Sequence, residues 1–274
     1  MANIVCDTTG RSRSMDYLSG TIRAHALDRW IFVINAAFFV VIALAGFIPD
    51  SLMKIDMVKA GQRPPFPLIL HVHSVLMGSF LLLLLVQTIL MATGRDGLHR
   101  RIGPVAMVLV PALVVAGLIL VPTTWLSIWG ALHHAPPAAL PALRDLHLRL
   151  DDIMLLQLRI GVLFPLFIWL GLRARNSDAG FHKRMMLLAP AVALPAAFDR
   201  ITWIPTTFPH SPVGPDLYVL LAVAPMFLWD VIRNRRIHHA YVVFLAASLP
   251  LTLFVHGVWD TPWWHNMAHR LMGV

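Results

Sequence analysis

Seven long apolar runs, separated by short segments that hold most of the charge, constrain this chain more than any other feature. A spanning helix needs about 20 predominantly apolar residues. Runs near 30–48, 67–92, 103–124, 152–173, 185–204, 216–233 and 240–258 reach or nearly reach that length. Hydrocarbon offers the backbone no hydrogen-bond partners, so each run has to satisfy its own peptide groups as a helix. The expected fold is therefore an all-α, polytopic membrane helix bundle of about seven transmembrane helices. Only 13% of residues are charged, whereas a soluble domain carries about a quarter. Prolines 104, 111, 165, 190, 195, 225 and 250 fall inside the runs. Membrane helices tolerate them where neighbours re-satisfy the freed backbone groups.

Orientation follows from the cations, which concentrate on the cytoplasmic side of membrane proteins. With the N-terminus cytoplasmic, 14 Lys and Arg fall in inner segments and 6 in outer ones, and the seventh helix leaves the C-terminus outside. The chain then divides into a cytoplasmic tail (1–29), a transmembrane domain (30–258) and an outer amphipathic segment (259–274). The net charge of +8 is spread over short clusters with no continuous basic stripe, so it argues for lipid bilayer topology and against a nucleic-acid partner. A single cysteine, Cys6, excludes internal disulfides and cysteine-based clusters. All 14 acidic residues are Asp, which argues against the Glu-built di-iron proteins. No cleaved signal peptide is expected. The expected location is the bacterial inner membrane, as a multi-pass protein.

Fourteen histidines are many for so apolar a chain. Two of them mark a short internal repeat. Gly97-Leu98-His99-Arg100-Arg101 and Gly180-Phe181-His182-Lys183-Arg184 share a Gly-apolar-His-basic-Arg pattern, and both fall on the cytoplasmic face. Paired imidazoles with adjacent cations are what a haem and its propionates need. Interfacial anchoring explains the same residues equally well. At the outer face, His71 and His73 open the second run and point in different directions on a helix. His71 is favoured as the inward one, because Ser74 and Gly78 on its stripe allow close approach. His147 has Asp151 four residues on, and His256 has Asp260, a spacing that lets a carboxylate fix an imidazole. His265 and His269 share one face of a short helix and form either a metal clip or, preferably, part of a surface helix anchored by Trp263 and Trp264. Arg159 lies within the fourth run, and Asp199 and Arg200 lie near the end of the fifth. An Arg159–Asp199 pair is expected, with Arg200 aimed at an anion, because buried charges in lipid need partners.

The motifs Leu98-His99-Arg100-Arg101-x-Gly103 and His182-Lys183-Arg184-Met185, with Asp230 and His238, resemble a broad family of uncharacterised bacterial multi-spanning proteins. A more distant similarity runs to cytochrome b561 and ferric-reductase-like membrane cytochromes. That similarity implies haem b held by an inner pair, His99 with His182, and an outer pair, His71 with His147. Electrons would come from a quinol, a small reductant or a redox partner protein. Two other readings compete. One is copper handling by outer His and Met residues, namely His265, Met267, His269 and Met272. The other is a cofactor-free transporter or assembly subunit built around Arg159 and Asp199.

Overall fold

The apolar runs do form helices, and they form them because no polar alternative exists along their length. A computed structural model describes residues 4–6, 12–14, 16, 18 and 25–274. The helices are α1 (Ala26–Lys59), α2 (Leu68–Ala92), α3 (Asp96–Ile102), α4 (Val105–His134), α5 (Leu140–Ala174), α6 (Ala179–Ala191), α7 (Pro195–Phe198), α8 (Val213–Asn234), α9 (His239–Val258) and α10 (Pro262–Met272). Ile4–Cys6 and Ser12–Ser14 pair as a short antiparallel ribbon. Six helices, α1, α2, α4, α5, α8 and α9, are long and apolar enough to cross a membrane. Leu82, Val108, Leu118, Leu221 and Leu253 lie exposed around the outside of the bundle. A soluble monomer does not show apolar surface on that scale, whereas lipid tails cover it at no cost.

The run expected at 185–204 is not one helix. Its α6 ends at Ala191, and α7 covers only Pro195–Phe198. Proline at 195 lacks the N–H that an unbroken helix would need, and its ring collides with the carbonyl four residues back. The broken segment nevertheless runs alongside α1 from Phe32 to Asp50. Lys183 lies 4.8 Å from the Phe32 ring centroid. Ala197 packs on Gly46, and Arg200 Nε lies 3.3 Å from Asp50 Oδ2. Three other helices outgrow their expected spans: α1 continues to Lys59, α4 continues to His134 and α5 begins at Leu140. At ~1.5 Å per residue, α5 exceeds the roughly 30 Å of hydrocarbon, so its first turns project beyond it.

α5 is the central wall, packed against α4, α6, α9 and α10, while α1 packs against α2, α6, α7 and α8. The main core holds the fully buried Phe39, Phe167, Met185, Leu188 and Met226. A second, smaller core of Trp125, Met154, Leu155, Val255, Trp259, Trp264 and Ala268 closes the end of the bundle where α4, α5, α9 and α10 meet. That second core carries the candidate site.

Gly46 is the tightest helix contact. A Cβ there would lie 2.3 Å from the Ala197 carbonyl oxygen, whereas one at Gly78 meets nothing within 4 Å. Gly46→Val is expected to destabilise the protein by ~2–3 kcal/mol, the upper part of the overpacking range, and Gly78→Ala to leave it unchanged. Thermal unfolding of the detergent-solubilised variants measures the difference.

Candidate functional site

Polar side chains gather at both ends of the bundle and at one level between them. At the end formed by the starts of α3, α6 and α9, His99 and His182 come together as the repeat implies. Their ring centroids are 6.5 Å apart and their planes nearly perpendicular. His182 Nδ1 lies 2.8 Å from the Gly171 carbonyl. Gln87 Nε2 donates to the His99 carbonyl at 3.2 Å. His99 Nδ1 is buried without a partner among the described residues, and burial pushes this imidazole's pKa down.

The cations of the two repeat copies have different fates. Arg100 pairs with Asp96 on the exposed surface, with Arg101 exposed beside it. Arg184 is wholly buried and forks onto the wholly buried Asp230, with Nε–Oδ2 at 2.5 Å and Nη2–Oδ1 at 2.8 Å. Its Nη1 also reaches Asp16 Oδ2 at 3.2 Å. Lys183 donates to the Leu18 carbonyl. Gly180 is required here, since a Cβ would lie 2.8 Å from Asp16 Oδ2 and 3.2 Å from His238 Nε2. Arg184 is thus committed to carboxylates and is not free for a propionate. Asp28 completes this layer, accepting from Trp229 Nε1 and Arg233 Nε at 2.9 Å each.

The expected Arg159–Asp199 pair does not form. Arg159 clamps Asp216 of α8 instead, with Nη2–Oδ1 at 2.6 Å and Nη1–Oδ2 at 2.8 Å, and donates to Thr252 Oγ1 at 3.1 Å. His256 Nε2 lies 2.8 Å from the same carboxylate, so its partner is Asp216 rather than Asp260. The cause is the break after Ala191. It carries Asp199 past α7 to the end of α1, where Arg200 lies between Asp199 (3.9 Å) and Asp50 (3.3 Å). Arg200 is therefore held by carboxylates and not aimed at a foreign anion.

The far end holds the densest histidine cluster. His147 on α5 is buried, and its Nε2 faces His269 Nε2 on α10 at 3.4 Å. His147 Nδ1 is buried with no partner among the described residues. Trp125 and Trp129 wall the pair, with centroids 4.4 and 5.3 Å from His147. Asp151, fully buried one turn below, accepts from Trp125 Nε1 at 2.7 Å and lies 3.0 Å from His265 Nδ1. One ligand atom each from His147, Asp151 and His269 falls within 4.8 Å of the others. Asp152, Asp260 and His265 form an adjoining triad on the same criterion. The Asp260 backbone N–H donates to Asp152 Oδ1 at 2.9 Å.

Several expectations shift accordingly. His71 does not meet His147: it is exposed and lies edge-on to Phe66 at 6.0 Å. His73 is the more buried of the two, with an enclosed Nδ1 and its ring near Gly117. The missing side chain on α4 makes that space, and nothing in α2 itself reveals it. α10 is a surface helix, but Trp264 and Ala268 are buried and bring His265 and His269 against α5. The residues not foreseen are Asp216, Trp125 and Trp129. Asp216 has a readable signal, an acid at the start of an apolar run. The two tryptophans have none beyond their four-residue spacing.

Comparison with family models, curated proteins and solved structures gives no match for this chain.

Removing one partner of a buried ion pair strands the other charge. Asp216→Ala is expected to cost ~3–5 kcal/mol, and Asp216→Leu combined with Arg159→Met to recover most of it, as read by denaturant unfolding in detergent. A second test concerns His238, which precedes α9. Its Nδ1 accepts the Ala240 N–H, and burial, reinforced by nearby Arg184, pushes its pKa down to about 4. An unfolded imidazole titrates near ~6.5, so between these values the unfolded chain binds more protons. The His238 contribution is complete above pH ~6.5 and is lost as pH falls towards 4. Stability against pH should be flatter over that window in His238→Gln than in the parent.

Proposed function

We propose that this protein is a multi-pass protein of the bacterial cytoplasmic membrane that holds a transition-metal ion at its outer face. His147, His269 and Asp151 are the ligands, and His265 orients the carboxylate. With the cation-rich segments inside, the α4–α5–α10 end faces outward.

One observation carries this reading. Two imidazole nitrogens bound about 2.0–2.1 Å from a tetrahedral ion lie about 3.3–3.4 Å apart. The His147 and His269 Nε2 atoms are 3.4 Å apart. That is longer than the ~3.0 Å typical of a nitrogen hydrogen bond. The indole and imidazole donors around Asp151 are what commonly fixes a ligating group. Imidazole and carboxylate together suit Zn(II) or Cu(II). Met267 and Met272 pack on the tryptophan core, so a thioether site selective for Cu(I) has less support.

Chelator-stripped protein in detergent, titrated with Zn(II) or Cu(II) and analysed by mass spectrometry, should hold one ion per chain. His147→Ala and His269→Ala should each abolish retention, and Asp151→Asn should weaken it about tenfold or more. Equal metal content in all four proteins would sink the proposal.

Haem b is a second reading, favoured by His99 and His182. Their 6.5 Å centroid separation is close to the ~6 Å that two axial imidazoles need across one iron. The hydrogen-bonded Nδ1 of His182 leaves its Nε2 to ligate. A macrocycle would also need a slot to open between the rings. On this reading the protein passes electrons to or from a quinol or a partner protein. A Soret band that shifts on dithionite addition and disappears in His182→Ala is the expected signature. A featureless spectrum in protein made with ample haem excludes it.

A further inference from the structure

An open cavity lies beside His147. Its volume is about 390 Å³, and its lining is Trp129, Leu132, His133, Leu140, Arg144, His147 and Leu148. The lining comes from two helix faces. Leu140, Arg144, His147 and Leu148 follow the i, i+4, i+7, i+8 stripe of α5, and Trp129, Leu132 and His133 follow i, i+3, i+4 on α4. Residues so spaced share one side of a helix, so the cavity is a slot between two facing stripes. Trp129, Leu132 and Leu140 are half-buried in its wall, and Arg144 and Leu148 are exposed at its mouth.

Arg144 is the informative residue. Like several exposed arginines it takes part in no ion pair among the described residues, but it alone of them lines this cavity. A guanidinium is a planar fork that matches a carboxylate. Here the fork stands one helical turn from His147, with an apolar wall behind it. A volume of 390 Å³ falls at the small end of the roughly 300–1,000 Å³ range of ligand sites. That size suits one short acyl chain or one ring system.

We propose that this slot binds a single-chain amphiphilic carboxylate from the outer leaflet. Its head lies on Arg144 and approaches the ion held at His147, and its tail lies against Trp129, Leu132, Leu140 and Leu148. Only the head-to-metal contact rests on the metal reading above. The contact to Arg144 and the apolar slot stand without it.

Octanoate is the probe, with octanol as the neutral comparator. Binding to the full-length protein in detergent is measured by calorimetry in Zn(II)-loaded and chelator-stripped samples. Octanoate is expected to bind the loaded protein about tenfold more tightly than octanol. Arg144→Gln should remove that preference while leaving metal content unchanged. Leu140→Trp, which fills the slot, should abolish binding of both probes. Octanoate binding no tighter than octanol, or equal in Arg144→Gln, overturns the proposal whether or not metal is bound. An Arg144-dependent octanoate preference in protein that retains no ion after Zn(II) titration keeps the slot and removes the metal reading. The two failures are therefore distinguishable.

Discussion

Hydrocarbon cannot solvate a charge, so every guanidinium drawn into this bundle has to find a carboxylate inside it. Arg159 takes Asp216, Arg184 takes Asp230, Arg233 takes Asp28 and Arg200 takes Asp50. Each pair joins different elements: α5 to α8, α6 to α8, α8 to α1, and the end of the broken segment to α1. α8 supplies a member to three of the four. Apolar packing between membrane helices has no hydrophobic driving force of its own, because lipid is as apolar as leucine. These clamps therefore specify which helix lies beside which. A buried pair adds little net stability over an apolar substitute, and its value here is in register and partner choice.

The two histidine-rich ends differ in kind. At the α3–α6–α9 end, the polar groups are mostly bonded to one another, and Arg184, Asp230, Asp28 and Gly180 form a sealed layer. At the α4–α5–α10 end, paired imidazole nitrogens face each other and a cavity reaches His147, whereas the one buried, unpartnered imidazole nitrogen among the described residues of the other end, His99 Nδ1, is enclosed. Groups that satisfy each other build structure, and groups left incomplete beside open space are disposed to take a ligand. The Arg144 guanidinium and the His147 imidazole share one stripe of α5 because that helix runs past the apolar layer.

Much of the architecture was legible in the sequence because apolar length is a local property. The runs at 67–92, 216–233 and 240–258 match α2, α8 and α9 to within a few residues. The His99–His182 approach was also legible, since a repeated motif implies equivalent placement. What failed was anything that depended on two elements at once. Arg159 and Asp199 looked level only if the fifth run were a straight helix, and Pro195 prevents that. His71 looked inward from the small residues on its own stripe, yet the space lies opposite His73, made by Gly117 on another helix. The approach of α10 to His147 depends on the backbone at Asp260, which adopts a positive φ of 52°. That conformation is uncommon outside glycine, and no run of apolar residues announces it.

The contact between Asp16 and Arg184 spans 168 positions of the chain. A ribosome adds about 5–20 residues each second, so Asp16 leaves it many seconds before its partner exists. Asp230 follows later still. Until α8 is made, Arg184 lacks its main counter-charge, and α6 has little reason to settle in lipid. The early aspartate is then half of a lock that closes only after α6 has been made.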